Sequence, residues 1–352
     1  MRRVLVAVAA TGIAATTALA AAGCSSSSSG SSDPGSSAPV VLRLGFLTNI
    51  THAPALIGIE KGFFAKELGK NVKLDPVPFS TGTEEATALL AGQLDAAYVG
   101  PNPAIKAYQT SGGKLIKVIS GAASGGAELV VKKSITTPAQ LKGQKLATPS
   151  LGNTQDVALR FWLKEHGLTS TQTGGGDVPI TPVTPNSAAV LEFKSGQIAG
   201  GWEPVPYDAE MVADGGHVLV NEASLWPNGQ FVTTNLVVTT KFLSAHASTV
   251  SDLLKGQIEA NTYIHDNSAA AEAAANAELT KLLGKGLSAS ELAASFQQVT
   301  FTNDPIESSL ATDAQHAVAV GLLSPVKDIN GLYDLSPLNA LLKADGQPQV
   351  SS

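Results

Sequence analysis

From Val40 onward, short apolar runs alternate with stretches of helical period. Residues 41–47 read as a strand, 53–64 as a helix, and 72–78 as extended chain interrupted by Pro76 and Pro78. Residues 83–92 place Ala86, Leu89 and Leu90 on one helical face, 95–99 form a buried strand, and Pro101 suits the first turn of another helix. After a strand at 128–131 a second series follows: strand 145–148, helix 154–166, strand 180–183, helix 188–194, strand 198–202. A long extended segment spans 231–239, and the chain from Lys241 is mostly helical, including the Ala-rich stretch 268–283. Strands alternating with helices indicate an α/β protein built from doubly wound units. Two such units with two extended connections predict two lobes: 40–131, then 132–236, then a helical return of 237–352 to the first lobe.

The segment before Val40 has a different character. Arg2 and Arg3 precede an apolar run rich in Ala, which closes on Ala21-Ala22-Gly23-Cys24. A charged start, an apolar middle and small residues before a cut site predict a secretory signal over 1–23. The weak hydrophobicity of the run, with Gly12 and three threonines, argues against a membrane span. The Cys after the small residues resembles a bacterial lipoprotein signal. That resemblance implies lipidation of Cys24 and a tether to the membrane. Residues 24–39 are Ser, Gly, Pro and Ala apart from Cys24 and Asp33, the composition of a flexible linker.

Bulk numbers narrow the functional classes. Hydrophobic content of 43% with 15% charge gives a chain able to bury a sizeable core. A net charge of -6 argues against nucleic acid or an anionic membrane surface as a partner. Cys24 is the single cysteine, so the rest of the chain has no disulfide, thiolate metal site or Cys nucleophile. No His pair stands at metal-binding spacing on one helix, so neither a metal nor a cofactor is expected. Two fragments echo hydrolases. Ser111-Gly112-Gly113-Lys114 matches Ser-x-x-Lys without a later Lys-Thr-Gly, and Ala122-Ala123-Ser124-Gly125-Gly126 is a loose nucleophile elbow leading into a strand. An exported serine hydrolase therefore stays as the alternative of a different class, and a non-enzymatic binding protein is favoured.

In open α/β sheets, ligands bind beyond the carboxyl ends of strands, where loops enter helix N-termini. Five loops there supply small polar residues. The candidate ligand-binding set is Asn49, Thr51 and His52; Ser80, Thr81, Gly82 and Thr83; Gly100 and Asn102; Ser150, Gly152, Asn153 and Thr154; and Trp202 with Glu203. Ser80, Thr81 and Thr83 also suit helix capping, with Glu84 and Glu85 favourable in the first turn. None of these loops contains Lys or Arg, so an anion would rest on helix N-termini and hydroxyls. Glu84 and Glu203, if they face the cleft, oppose a dianion and leave a monoanion, a zwitterion or a cationic heterocycle.

The order and spacing of several short pieces carry a family resemblance. They are Ile59-Glu60-Lys61-Gly62-Phe63-Phe64, Ser80-Thr81-Gly82-Thr83, Ala91-Gly92-Gln93-Leu94-Asp95, Tyr98-Val99-Gly100, Leu141-Lys142-Gly143-Gln144-Lys145-Leu146-Ala147, Ser150-Leu151-Gly152 and Ser195-Gly196-Gln197-Ile198. With them the chain resembles the solute-binding proteins of ABC importers in the sulfonate, taurine and nitrate group, which share a fold with thiamine-precursor binding proteins. The resemblance implies a type II periplasmic-binding-protein fold and a small ligand held between two lobes by a monomer. It also implies a membrane permease with a cytoplasmic ATPase as partner, at the extracytoplasmic face. Ala199 stands where the group often has Asp after Gly-Gln-Ile.

Overall fold

The computed structural model describes residues 39–325 and 329–351, so the signal and Cys24 lie outside the described residues. The first lobe opens with β1 (Val40–Leu47), α1 (Ala53–Glu60), α2 (Phe63–Leu68), β2 (Val72–Phe79), α3 (Gly82–Leu90), β3 (Ala96–Val99), α4 (Pro101–Thr110) and β4 (Ile116–Gly125). The chain then crosses to the second lobe with β5 (Ala127–Lys132), β6 (Leu146–Thr148), α5 (Thr154–Glu165), β7 (Ile180–Pro182), α6 (Asn186–Lys194), β8 (Gly200–Pro204), α7 (Tyr207–Ala213) and β9 (Gly216–Asn221). It returns through β10 (Val232–Thr239), α8 (Thr240–Ala245), α9 (Ala247–Asp266), α10 (Ser268–Leu283), α11 (Ala289–Gln297), β11 (Val299–Phe301), α12 (Glu307–Ala319) and α13 (Ser336–Ala344).

Each lobe is built on one mixed sheet. The first has strand order β11-β4-β10-β3-β1-β2 and the second β7-β6-β8-β5-β9. β1 lies parallel to β2 and β3, whereas β10 runs antiparallel to both β3 and β4. In the second lobe β6 is parallel to β7 and β8, and β5 is antiparallel to β8 and β9. Central strands are covered on both faces, which is why β3 is wholly buried and reads as a continuous apolar run. Leu42, Leu44 and Phe46 of β1 pack with Tyr98, Leu236 and helices α1 and α9, while Ala97, Val99 and Val237 face α3, α4 and α12.

The lobe boundaries differ from those the periodicity suggested. β5, placed in the first lobe on sequence, pairs with Gly200–Pro204 of β8 and belongs to the second sheet. The stretch 232–236, placed in the second lobe, belongs to β10 and the first sheet. Alternation within a strand says that it is buried and leaves open which sheet buries it. The crossovers instead fall at Gly125-Gly126 and at Phe231, and hydrogen bonds pin them side by side. Gly125 N donates to Phe231 O (3.1 Å), Phe231 N to Ser124 Oγ (3.2 Å), and Thr233 Oγ1 to Gly125 O. Gly125 and Gly126 both have positive φ, 85° and 78°, which a side chain would strain. A Cβ on Gly126 would also lie 2.6 Å from Val299 Cγ2.

The helix expected over 53–64 is two helices. Gly62, at φ 73°, breaks the run and starts α2 in a new direction. Among the described residues no helix is long and apolar enough to cross a membrane.

Candidate functional site

Helix starts define the site. The loop after β1 enters α1 at His52, Thr81 caps α3, Gly100 precedes α4, Asn153 caps α5, and α6 begins at Asn186. All five of these positions line one cavity between the lobes, of about 30 Å³ by the space open to water-sized centres. That holds about two or three water positions. Helix N-termini present unpaired N–H groups and roughly half a positive charge each. Two of the caps are made by side chains: Thr81 Oγ1 accepts from Glu84 N (3.3 Å) and Asn153 Oδ1 from Asp156 N (2.9 Å).

The lining is uncharged and rich in donors. Leu47 N donates to His52 Nδ1 (3.1 Å), which leaves the proton on Nε2 as the free edge of the ring. Burial lowers His52 to about 3, so the ring is neutral at pH 7. Thr51 Oγ1 donates to Asn49 Oδ1 (2.8 Å), leaving the Asn49 amide N–H groups unspent. Asn153 Nδ2 donates to Gln155 Oε1 (3.0 Å), which leaves the Gln155 amide N–H groups free in the same way. Ser80 and Thr154 add hydroxyls, and no Lys, Arg, Asp or Glu is among the lining residues. A cavity of this kind solvates a small anion with neutral dipoles.

One carboxyl stands just behind the wall. Glu203 Oε2 accepts from Asn186 Nδ2 (2.9 Å), and its other oxygen is buried without a partner among the described residues. Burial pushes Glu203 well above the usual carboxylate range, opposed by the Asn186 bond and helped by the charge of Asp208. Asp208 is itself pushed up by burial and then by Glu128. The upward shift reduces the repulsion that Glu203 adds to the cavity.

The sequence candidates divide into four groups, of which Trp202 and Glu203 are the last. Asn49, Thr51, His52, Ser80, Thr81, Gly82, Gly100, Asn153 and Thr154 come together around the cavity. Thr83 and Ser150 form a bridge across the lobes, Thr83 Oγ1 donating to Ser150 Oγ (3.0 Å). Asn102 and Gly152 lie beyond that bridge, in a separate hollow, with Asn102 Nδ2 donating to Asp313 O (3.3 Å).

Trp202 and Glu203 are corrections, because β8 is buried on both faces. Trp202 is fully buried in the second lobe, edge-on to Trp162 at 6.3 Å, and Nε1 donates to Glu222 Oε2 (2.6 Å). It forms no wall of the cleft, and Glu203 acts only through Asn186. Glu84 is exposed and does not line the cavity.

Sequence reasoning missed Gln155, Asn186 and Thr233 of the lining. Asn186 was legible in Thr184-Pro185-Asn186, a helix-start signal two residues before the expected start of α6. The hydrolase-like serines have structural roles. Ser111 Oγ donates to Tyr108 O and accepts from Leu115 N at the end of α4, and Ser124 Oγ holds Phe231 N at the crossover.

Comparison with known proteins places this geometry in a class. The NMT1-like family model matches residues 35–278, and the chain belongs to that family. The taurine-binding periplasmic protein of Escherichia coli K12 is 27% identical over 207 residues, covering 59% of this chain and 62% of that protein. Binding proteins of Brucella abortus are 29% identical over 173 residues, and the chain spans about half (49%) of their length. Among solved structures, the alkanesulfonate-binding protein SsuA of Xanthomonas axonopodis pv. citri, bound to MOPS, is similar with a TM-score of 0.67. It is 18% identical, with 82% of this chain and 96% of that one covered. The nitrate-binding protein NrtA of Synechocystis PCC 6803 gives a TM-score of 0.70 at 15% identity, over 87% and 89%. These likenesses show the fold of periplasmic binding proteins.

The lobes touch tightly at Gly100. A Cβ there would lie 2.7 Å from Thr154 Oγ1 of the other lobe. Gly100→Ala is expected to hold the lobes apart and weaken ligand binding by about tenfold or more, with little change in melting temperature of the free protein. Calorimetric titration and thermal denaturation check both halves of this expectation.

Proposed function

We propose that the chain is the extracytoplasmic solute-binding component of an ABC importer. It takes a small ligand with one anionic head group, of the sulfonate, taurine or nitrate kind, between its lobes and delivers it, as a monomer, to a permease driven by a cytoplasmic ATPase. The observation that carries this reading is the uncharged cavity ringed by five helix N-termini. A dianion costs far more to desolvate than a monoanion, and no fixed cation lines the cavity to offset the difference. A monoanion is matched by His52 Nε2–H, the Asn49 and Gln155 amides and the Ser80 and Thr154 hydroxyls. The names of the taurine-, alkanesulfonate- and nitrate-binding relatives agree with that chemistry.

A thiamine-precursor or other heterocyclic ligand is less well supported. Such a ring gains from stacking, and no Trp, Tyr or Phe lines the cavity once Trp202 is in the core. Hydrolysis is disfavoured because Ser111 and Ser124 are spent on backbone bonds away from the cavity.

A thermal-shift and calorimetric screen of methanesulfonate, taurine, nitrate, sulfate and thiamine precursors tests the ligand class. A ligand at ~100 times its Kd raises stability by about 2.7 kcal/mol. The expected order is monoanion or zwitterion first and sulfate last, with His52→Ala weakening the best of them. A shift with sulfate or a heterocycle alone contradicts the reading.

The anchor is a separate part of the proposal. A lipidated Cys24 followed by a Ser-rich tether of about 20 Å typical reach keeps the receptor near its permease. Cys24→Ser is expected to move the protein from the membrane to the soluble fraction with unchanged affinity. Retention of the variant in the membrane fraction would contradict the anchor.

A further inference from the structure

The inner cavity is too small for more than a head group, yet it is not sealed. A second hollow, of about 420 Å³ on the same measure, shares Leu47, Asn49, Ser80 and Asn186 with it. The outer walls are mainly apolar, from Pro206 of the second lobe and Leu279, Leu283 and Leu287 of the first. A ligand whose head fills the inner cavity therefore has a ready path for a carbon chain.

Charge appears only in the outer hollow. Glu210 on α7 of the second lobe lines it, opposite Lys285 and Glu291 of the first lobe, where α7 packs against α11. Glu291 is committed to the capping box of α11, accepting from Ser288 N (2.7 Å), and those bonds keep it ionised. The Glu210 side chain takes no hydrogen bond or ion pair from any described residue. Burial raises its carboxyl, the Glu291 and Asp214 charges raise it further, and Lys285 partly offsets them. Glu210 and Glu291 thus line one hollow from opposite lobes with Lys285 beside them, while Asp214 is paired with Lys194 (2.8 Å). A cation placed there relieves the repulsion only in the closed form, and so favours closure.

We infer that the outer hollow receives the organic tail of the ligand and that Glu210 selects an ammonium group at its far end. The preferred ligand class is then a chain-extended zwitterion, with one sulfonate-type anion, an apolar link and a terminal primary amine. This inference rests on the anion reading of the inner cavity.

The test compares propane-, butane- and pentanesulfonate with their terminally aminated counterparts, by calorimetric titration of wild type and Glu210→Gln. Wild type is expected to prefer the aminated member of at least one pair by about five- to tenfold, the scale of a partly buried charge-assisted bond. Glu210→Gln is expected to bring that ratio to within about twofold. If plain sulfonates bind and the ratio is near one in wild type, or survives in the variant, the tail assignment is wrong and the head-group reading stands. If neither series binds wild type, the head-group reading fails and the tail assignment falls with it.

Discussion

The proposed ligand site depends on desolvating an anion without a cation. A buried carboxylate- or sulfonate-sized charge pays several kcal/mol on leaving water, and isolated dipoles rarely repay it. Here five helices, each eight residues or longer, begin at residues that line the same small cavity. The two sheets exist in this account to aim those helices. Parallel strands β1, β2 and β3 in one lobe, and β6, β7 and β8 in the other, deliver their loops to the shared edge. His52 shows the same logic in one residue, since Leu47 N fixes its tautomer and burial keeps it neutral as a donor.

Splitting the donors between two lobes makes binding depend on the lobe arrangement. α1, α3 and α4 belong to the first sheet, and α5 and α6 to the second. Neither half alone surrounds a ligand. Contacts that join the halves run from Thr83 to Ser150, from Tyr207 OH to Thr48 O (3.2 Å), and from Lys164 Nζ to Ala319 O (2.7 Å). Phe161 of α5 also stacks on His316 of α12, with ring centroids 3.6 Å apart. The crossover pair at Gly125-Gly126 and Phe231 is where the lobes meet covalently, and glycine there tolerates the positive φ that the turn requires.

Much of this was legible in the sequence, and the failures have physical causes. Strands β1, β3 and β10 and helices α3, α4 and α5 follow from apolar runs, capping residues and Pro at a first turn. The second half of ten-residue β4 was not, because Ser120-Gly121-Ala122-Ala123-Ser124 lacks the branched side chains that mark strands. Gly121 must be small, since a Cβ would lie 2.1 Å from Asp304 O. The loops after β1, β2, β3 and β6, singled out by composition and position, supply the nine sequence candidates that line the cavity. Trp202 misled because a Trp beside Glu203 looks like a surface pair. Both are buried on opposite faces of one strand, the Trp satisfied by Glu222 and the Glu by Asn186. No local pattern reports that a carboxyl is buried.

The central claim is that neutral dipoles alone hold the anion, and the pH dependence of affinity tests it most directly. His52 is the one titratable group on the cavity wall, and burial lowers it to about 3. Calorimetric titration with methanesulfonate at pH 5.5 and 7.5 is therefore predicted to give dissociation constants equal within about twofold. A tightening of about tenfold on acidification would show that a protonated His52 is the anion's partner, and would contradict the account.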